Sequence, residues 1–157
     1  MTAIKACLLG EGGVGKTTIA NLLQHKPVVE GQRRPTIGVE VNVAQLNEQD
    51  KIALWDLGGQ RRFQLMWDDF MRGSQVTLVV TDSTPKNVMM TKDLIERHLT
   101  NSASKIIAIA NKQDLDGRMK PEEIQAALGI PTFGIVATNK NNEDQLKAVI
   151  ERTIRPQ

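Results

Sequence analysis

Residues 10–17, GEGGVGKT, constrain the fold of this chain more than any other stretch, because they fit the phosphate-binding pattern GxxxxGK(S/T) at every fixed position. In such a loop the glycines let successive backbone N–H groups point inward, and the helix that follows presents its positive end to an anion. An apolar run at residues 4–9 precedes the loop, and apolar residues recur after it at helical spacing. Strand, loop and helix therefore come in the order that a nucleoside triphosphate site requires, with Lys16 for the outer phosphates and the Thr17 hydroxyl for Mg²⁺. A chance match in a glycine-rich turn is the alternative, and it does not explain these flanks.

The size and composition predict a single domain, residues 1–157, with a core of its own. A chain of 157 residues fits one ordinary domain. Lys and Arg total 20 against 18 for Asp and Glu, and the net charge of +2 lacks the concentrated basic excess that nucleic acid binding requires. We therefore expect no nucleic acid partner. The single Cys7 cannot form an internal disulfide, so a cytoplasmic location is expected.

The sequence also lacks the usual signals for membrane attachment. No apolar stretch is long enough to cross a bilayer, and the N-terminus has no signal-peptide pattern. Position 2 is not glycine, and the last residues contain no prenylation cysteine. We expect no direct membrane anchor, and we expect a monomer.

Six segments have the length and apolar pattern of β-strands, and three later segments have apolar stripes at helical spacing. The strands are predicted at residues 4–9, 39–43, 52–55, 76–81, 106–110 and 133–136, and the later helices around residues 94–99, 124–128 and 146–154. A turn at residues 47–50 makes the second and third strands an antiparallel hairpin. Because the other strands alternate with helices, we predict an α/β fold of three layers. Its six-stranded, mostly parallel sheet has one antiparallel edge strand and helices on both faces.

Polar residues follow three of these strands, at the edge of the sheet where such folds bind ligands. Asp56 ends the second strand of the hairpin, where its carboxylate can hold the water shell of Mg²⁺, and the glycine pair at 58–59 allows close approach of the backbone. Residues 111–114, NKQD, follow the fifth strand, and residues 137–138, AT, follow the sixth. The carboxylate of Asp114 can accept from two N–H groups of a guanine, which adenine cannot match.

With these motifs in order, the sequence resembles the Ras superfamily of small GTPases over essentially its whole length. The matching stretches are residues 10–17, PTIG at 35–38, WDLGGQ at 55–60, NKQD at 111–114 and AT at 137–138. The last three are similar to the Arf-like branch, whereas GGVGK in the phosphate loop is similar to Ras and Rab. The nucleotide-binding domains of Roc proteins share several of these features. The resemblance implies the three-layer P-loop NTPase fold of small G proteins.

The function that this resemblance implies is a molecular switch. It would bind GTP or GDP with Mg²⁺, hydrolyse GTP slowly by itself, and recruit protein partners in the GTP-bound state. Protein effectors, an activating protein and an exchange factor are expected to bind through residues 32–40 and 55–72. Two other classes stay open, a GTP-binding scaffold subunit that does not cycle and a P-loop kinase of a small molecule. Gln60 weighs against the scaffold, and the chain has no spare segment for a kinase's lid and second substrate pocket.

Individual roles follow from the same resemblance. Gln60 would orient the hydrolytic water, and Lys16 would act with it in catalysis. The implied metal ligands are Thr17, Thr36 and, through water, Asp56. The implied nucleotide-binding residues are Glu11, Gly12, Gly13, Val14, Gly15, Lys16, Thr17, Thr18, Thr36, Gly59, Asn111, Lys112, Asp114, Ala137 and Thr138.

The chain departs from these families at two places. The aromatic residue that covers the guanine in Ras has no counterpart, because the first aromatic of this chain is Trp55. Val28 or Val29 is the candidate substitute. The N-terminal amphipathic helix and myristoyl site of Arf proteins are also absent from this sequence.

Arg33 is a further candidate catalytic residue. It lies three residues before Thr36, the offset at which G-protein α subunits carry an arginine finger in cis. Pro35 departs from their pattern. The alternatives are an exposed loop arginine, one that contacts an acidic partner, and an activating protein that supplies the charge instead.

Four of the five aromatic residues lie between residues 55 and 70: Trp55, Phe63, Trp67 and Phe70. They predict either anchors for a protein partner or a core cluster under a mobile loop. Arg61 and Arg62 are predicted to lie in a solvated loop. Met89 and Met90 are predicted to fill the core.

Overall fold

The computed structural model of this protein describes residues 2–26 and 38–155. The strands are β1 (Thr2–Leu9), β2 (Val39–Gln45), β3 (Asp50–Leu57), β4 (Val76–Thr81), β5 (Lys105–Ala110) and β6 (Thr132–Gly134). The helices are α1 (Lys16–Leu23), α2 (Arg61–Gln64), α3 (Trp67–Phe70), α4 (Pro85–His98), α5 (Pro121–Leu128) and α6 (Glu143–Ile154), with a 3₁₀ turn at Lys140–Asn142. Each predicted strand is present with its ends shifted by at most two residues. The loop predicted at Arg61 and Arg62 is instead the short helix α2.

Within the described residues the six strands form one sheet in the order β2-β3-β1-β4-β5-β6. Only the pairing of β2 with β3 is antiparallel, and β2 lies at the edge of the sheet. The predicted sheet is therefore confirmed. Because its strands run parallel, the segments that follow β1, β3, β4, β5 and β6 all begin at the same edge.

Alternate residues of the central strands face two different cores, which is why helices cover both sides of the sheet. Leu8 pairs in register with Leu78, and both pack in the core that α1 and α6 cover. Leu9 pairs with Val79, and both pack in a second core with residues of α3 and α4. All six residues of β4 are buried, as the uninterrupted apolar run in the sequence indicates. The three predicted layers are confirmed.

Helix α4 shows why one prediction about its methionines is wrong. The helix begins at a Thr84 cap, whose hydroxyl accepts from the backbone N–H of Asn87, and Pro85 occupies its first position. Its buried side is set by residues at helical spacing: Val88, Thr91 and Leu94. Met89 and Met90 lie on the other side and are 60% and 40% exposed, so they do not fill the core. No helix among the described residues has the length and apolar character needed to cross a membrane.

Candidate functional site

The loop between β1 and α1 forms a backbone cradle in which Gly15 leaves no room for a side chain. Gly15 has a φ of +106°, a conformation that L-residues with a Cβ rarely adopt, and a Cβ added there would collide with the side-chain amide of Asn111. Glycine is therefore required at this position on two independent grounds. The predicted loop thus has the compact backbone that close approach to a phosphate needs.

Lys16 lies buried at the start of α1, and its ammonium group is held inside the loop. Its Nζ donates to the carbonyl oxygens of Gly10 at 3.0 Å and of Glu11 at 3.1 Å. Burial lowers the pKa of Lys16, although the nearby carboxylates of Asp56 and Glu11 oppose that change. A phosphate at this site would compensate the buried positive charge better than two carbonyl dipoles do.

Thr17 and Asp56 meet at the base of the cradle. The Thr17 hydroxyl donates to Oδ2 of Asp56 at 2.7 Å, and Asp56 is fully buried at the end of β3. A hydroxyl and a carboxylate side by side are the hard oxygen ligands that Mg²⁺ prefers, so these residues fit the implied metal. The third predicted ligand, Thr36, lies outside the described residues.

Gly59 brings the chain after β3 directly over the phosphate loop. A Cβ at this position would lie 2.6 Å from both the Gly10 carbonyl oxygen and Lys16 Nζ, and 2.7 Å from the Gly12 backbone nitrogen. Only a glycine fits against the loop here. Gln60 follows at the start of α2, half-buried, and its side-chain oxygen accepts from Arg62 Nε at 3.1 Å. Arg62 is thus a neighbour of the predicted water-positioning residue.

Two side chains, one from α2 and one from α3, hold the backbone of Gly58 and Gly59 in place. The indole N–H of Trp67 donates to the Gly58 carbonyl at 3.0 Å, and Gln64 Nε2 donates to the Gly59 carbonyl at 3.2 Å. Trp67 is fully buried, so it is a core residue and not a partner anchor. Sequence reasoning missed this positioning role, because nothing in the chain's pattern links residue 67 to a carbonyl nine residues earlier.

A cavity of about 240 Å³ lies beside the cradle, at the ends of β5 and β6. It is lined by Gly15, Thr18, Asn111, Lys112, Asp114, Leu115, Val136, Ala137 and Thr138. The residues that the resemblance places around the base, Asn111, Lys112, Asp114 and Ala137, are therefore together. Sequence reasoning missed Leu115 and Val136, which give the cavity apolar walls suited to a planar base. Their position directly beside NKQD and AT is the signal that could have found them.

Asn111 connects this cavity to the phosphate loop. Its Nδ2 donates to the Val14 carbonyl at 3.0 Å, and its Oδ1 accepts from the Ala137 backbone N–H at 3.0 Å. Lys112, with a φ of +62°, donates through Nζ to the Gly13 carbonyl at 3.0 Å. The Asn111 amide and the Lys112 ammonium group thus hold the phosphate loop, the NKQD loop and the loop at Ala137 in a fixed arrangement.

Five residues named above lie outside the described residues, namely Val28, Val29, Arg33, Pro35 and Thr36, together with the rest of residues 32–37 of the predicted partner surface. Their predicted roles stay predictions. All other predicted site residues lie around the cradle or the cavity, at the carboxyl ends of the parallel strands. This fold and this arrangement define a P-loop nucleotide-binding protein.

Comparison with known proteins identifies the family. The sequence model of the ADP-ribosylation factor family matches residues 1–153, and the chain belongs to this family. ADP-ribosylation factor-like protein 5 of Caenorhabditis elegans is 34% identical over 133 residues, which cover 82% of this chain and 73% of that protein. ADP-ribosylation factor-like protein 1 of Drosophila melanogaster is 32% identical over 94% of this chain and 86% of its own length.

Similarity extends to the Rab branch, as the GGVGK loop predicts. Ras-related protein Rab7 of Glycine max is 32% identical over 91% of this chain and 78% of its own length. The predicted membership of the Ras superfamily, in its Arf-like branch, is confirmed. The chain is a small GTPase, a switch that binds and hydrolyses GTP, and proteins of its family generally bind guanine nucleotide with Mg²⁺ and act through effectors and regulators.

Proposed function

We propose that this chain binds GTP or GDP in the cradle and cavity described above and switches partner binding through the residues around Gly59. The observation that supports the proposal most is the direct contact between the two halves of the site. Gly15 and Thr18 of the cradle line the cavity, and Asn111 hydrogen-bonds to Val14 of the phosphate loop and to Ala137 of the cavity wall. A single ligand with phosphates and a base would therefore occupy both halves.

The proposed roles follow the positions of the described residues, except for Thr36, whose role follows from the resemblance to small GTPases. Backbone N–H groups of residues 11–18 and the ammonium of Lys16 receive the phosphates. Thr17 and Thr36 would hold Mg²⁺ directly and Asp56 would hold it through water, and the ion would neutralise phosphate charge when it is bound. Gly59 bonds the outermost phosphate through its N–H, and Gln60 orients water for hydrolysis. Loss of that phosphate would release the loops on which partners depend.

Guanine selectivity is assigned to Asp114, which is exposed in the wall of the cavity. Replacing Asp114→Asn exchanges an acceptor for a donor, so the variant should lose affinity for GTP and gain affinity for xanthosine triphosphate. Competitive binding measures both. Asp116→Asn is the matched control, because Asp116 is also exposed but does not line the cavity. An unchanged preference for GTP in Asp114→Asn would contradict the assignment.

The surface for effectors is proposed at residues 32–40 and 55–72. Support comes from Leu65, an apolar residue that is 88% exposed on the segment after Gln60, and from Met66, which is 38% exposed. Trp55 and Phe70, which lie within the same ranges, are half-buried, and their ring centroids are 6.3 Å apart. Exposed apolar side chains in this arrangement are typical of protein interfaces.

This surface is tested with the protein loaded with GTP or GDP. Leu65→Ser should lower the recovery of proteins captured only by the GTP-bound form, while nucleotide affinity and stability stay unchanged. Glu48→Gln, on the exposed turn at the far end of the β2–β3 hairpin, is the control. Equal recovery by Leu65→Ser and the unmodified protein would remove Leu65 from the interface.

A further inference from the structure

Ser83 is a buried residue in an unusual backbone conformation just after β4. It is fully buried, and its φ is +71°, in the left-handed region that residues other than glycine, asparagine and aspartate seldom adopt. Such conformations persist only where surrounding contacts fix them, and they cluster at functional sites. The contacts of Ser83 therefore indicate what the conformation is for.

The hydroxyl of Ser83 joins two residues of the NKQD segment. It donates to the Asn111 carbonyl oxygen at 2.7 Å and accepts from Gln113 Nε2 at 2.8 Å. Gln113 Nε2 also donates to the Met119 carbonyl at 3.0 Å, while the Met119 N–H donates to the Ser83 carbonyl at 2.7 Å. Ser83 therefore holds both ends of the loop that runs from residue 111 to residue 119.

Asp114 lies in the middle of that loop. The carboxylate is exposed in the cavity wall, so its place is set by the loop on either side of it. On one side the loop is fixed by Asn111, whose carbonyl rests on Ser83 and whose side chain bridges the phosphate loop and Ala137. The backbone N–H of Ser83 donates to the Thr81 hydroxyl at 3.2 Å, which anchors this support to the end of β4.

We infer that Ser83 is a positioning residue for base recognition: its hydroxyl fixes the loop 111–119 so that the Asp114 carboxylate meets the guanine amine. The inference rests on the guanine site proposed above. Without the hydroxyl, the Asn111 carbonyl and the Gln113 amide each lose a buried partner, and the loop relaxes. A relaxed loop still binds phosphates, but it distinguishes bases less well.

The test compares Ser83→Ala and Ser83→Gly with the unmodified protein. Both variants remove the hydroxyl, and glycine also adopts the positive φ without strain, so it preserves the fold if alanine does not. Affinities are measured by competition for guanosine diphosphate and for inosine diphosphate, which lacks the exocyclic amine. Guanosine diphosphate should bind about tenfold more weakly in both variants, and inosine diphosphate less than about threefold, because only the former uses the Asp114–amine contact.

The variant Thr77→Val serves as the control that distinguishes a general loss of stability from a specific effect on base recognition. Thr77 is also fully buried on β4, and its hydroxyl pairs with Ser104 Oγ at 2.7 Å, at the end of the strand away from the cavity. This variant should lose stability in urea unfolding yet keep the ratio of the two affinities.

Asp114→Asn, tested in parallel with xanthosine nucleotides, separates the inference from the proposed function. If it switches base preference while both Ser83 variants keep the unmodified affinity ratio, Ser83 is not a positioning residue. If Asp114→Asn keeps its guanine preference, the guanine site itself is wrong and the inference fails with it. If both Ser83 variants lower the ratio of the guanosine diphosphate affinity to the inosine diphosphate affinity, and Asp114→Asn switches its base preference to xanthine, Ser83 is a positioning residue.

Discussion

The indole N–H of Trp67 donates a 3.0 Å hydrogen bond to the carbonyl oxygen of Gly58, and both residues are buried. This contact joins the glycine pair over the phosphate loop to a side chain that packs with Leu9, Leu57 and Leu94 in the second core. A displacement of Gly58 therefore has to move the Trp67 ring or break its hydrogen bond. The nucleotide-facing backbone and the core under α3 are coupled through one bond.

Trp67→Phe removes the donor but keeps an aromatic ring in the core. We expect the free energy of unfolding to fall by about 1 to 3 kcal/mol, because the Gly58 carbonyl stays buried without that partner. Urea denaturation of the GDP-bound protein measures the change. Leu65→Ser, at a site that is 88% exposed, is the control and should stay within about 0.5 kcal/mol of the unmodified protein. A Trp67→Phe variant as stable as this control would show that the bond contributes nothing.

Gly15→Ala should abolish tight nucleotide binding. The added Cβ would collide with the Asn111 amide, which bridges the cradle and the cavity. Gly129→Ala is a matched control, since Gly129 ends α5 with a φ of +75° and an added Cβ there meets nothing within 4 Å. It should cost about 1 kcal/mol of stability from the strained φ alone. Fluorescence titration with a labelled GDP compares the two, and equal affinities would contradict the cradle geometry.

Asp50 gives the protein a defined sensitivity to acid. The hydrogen bond from Arg155, at 2.6 Å, and one from Asn47, at 3.0 Å, lower the pKa of this carboxyl group. A carboxyl group whose pKa is lower in the folded state stabilises the fold above the unfolded-state pKa of about 3.9. That stabilisation is lost as the pH falls from there through the folded-state value.

Asp50→Asn removes this titration. The free energy of unfolding of the variant should be lower than that of the unmodified protein at pH 7, and it should fall less steeply below about pH 4. Urea unfolding at a series of pH values from neutral to acid measures the free energy of unfolding of both proteins and its dependence on pH. Glu48→Gln, exposed on the same turn, should retain the slope of the unmodified protein. If the free energy of unfolding depends on pH in the same way in Asp50→Asn and in the unmodified protein, Asp50 does not contribute to the acid sensitivity.

Arg33 is predicted to neutralise charge that develops on the phosphates during hydrolysis. If it acts in cis, Arg33→Ala should slow single-turnover GTP hydrolysis by a factor of about 10³ or more, whereas Arg34→Ala should have little effect. Nucleotide affinity is checked in both variants. A loss of less than about threefold in each, under 1 kcal/mol of barrier, would exclude both arginines from the transition state.

Much of the fold was predictable because its signals are local. The glycine pattern at 10–17 and the apolar runs of β1, β4 and β5 each determine an element without help from distant residues. The carboxyl ends of parallel strands then place Asp56 and Asp114 at one edge. The positions of the described site residues were predictable for the same reason, since their motifs follow those strands directly, whereas the roles of these residues stay predictions.

Other features depend on contacts that no local pattern shows. Met89 and Met90 are apolar, yet the phase of α4 is set by Val88 and Leu94, so the methionines face outward. The role of Ser83, which follows β4, depends on its contact with the carbonyl of Asn111, which follows the neighbouring strand β5 and lies 28 positions later in the sequence. Such long-range contacts arise from packing, which the sequence specifies only as a whole.

The turn of the β2–β3 hairpin rests on the last turn of α6, where Asn47 donates to Glu151 and Asp50 accepts from Arg155. Asp50 is 5% exposed at its side chain, and Arg155 belongs to the final residues of the chain. The turn beside the edge strand β2 is thus held by the last turn of α6 and by Arg155, which follows it. Deletion of residues 155–157 would leave the buried Asp50 carboxylate without the Arg155 guanidinium. Such a deletion would therefore destabilise the turn of the β2–β3 hairpin.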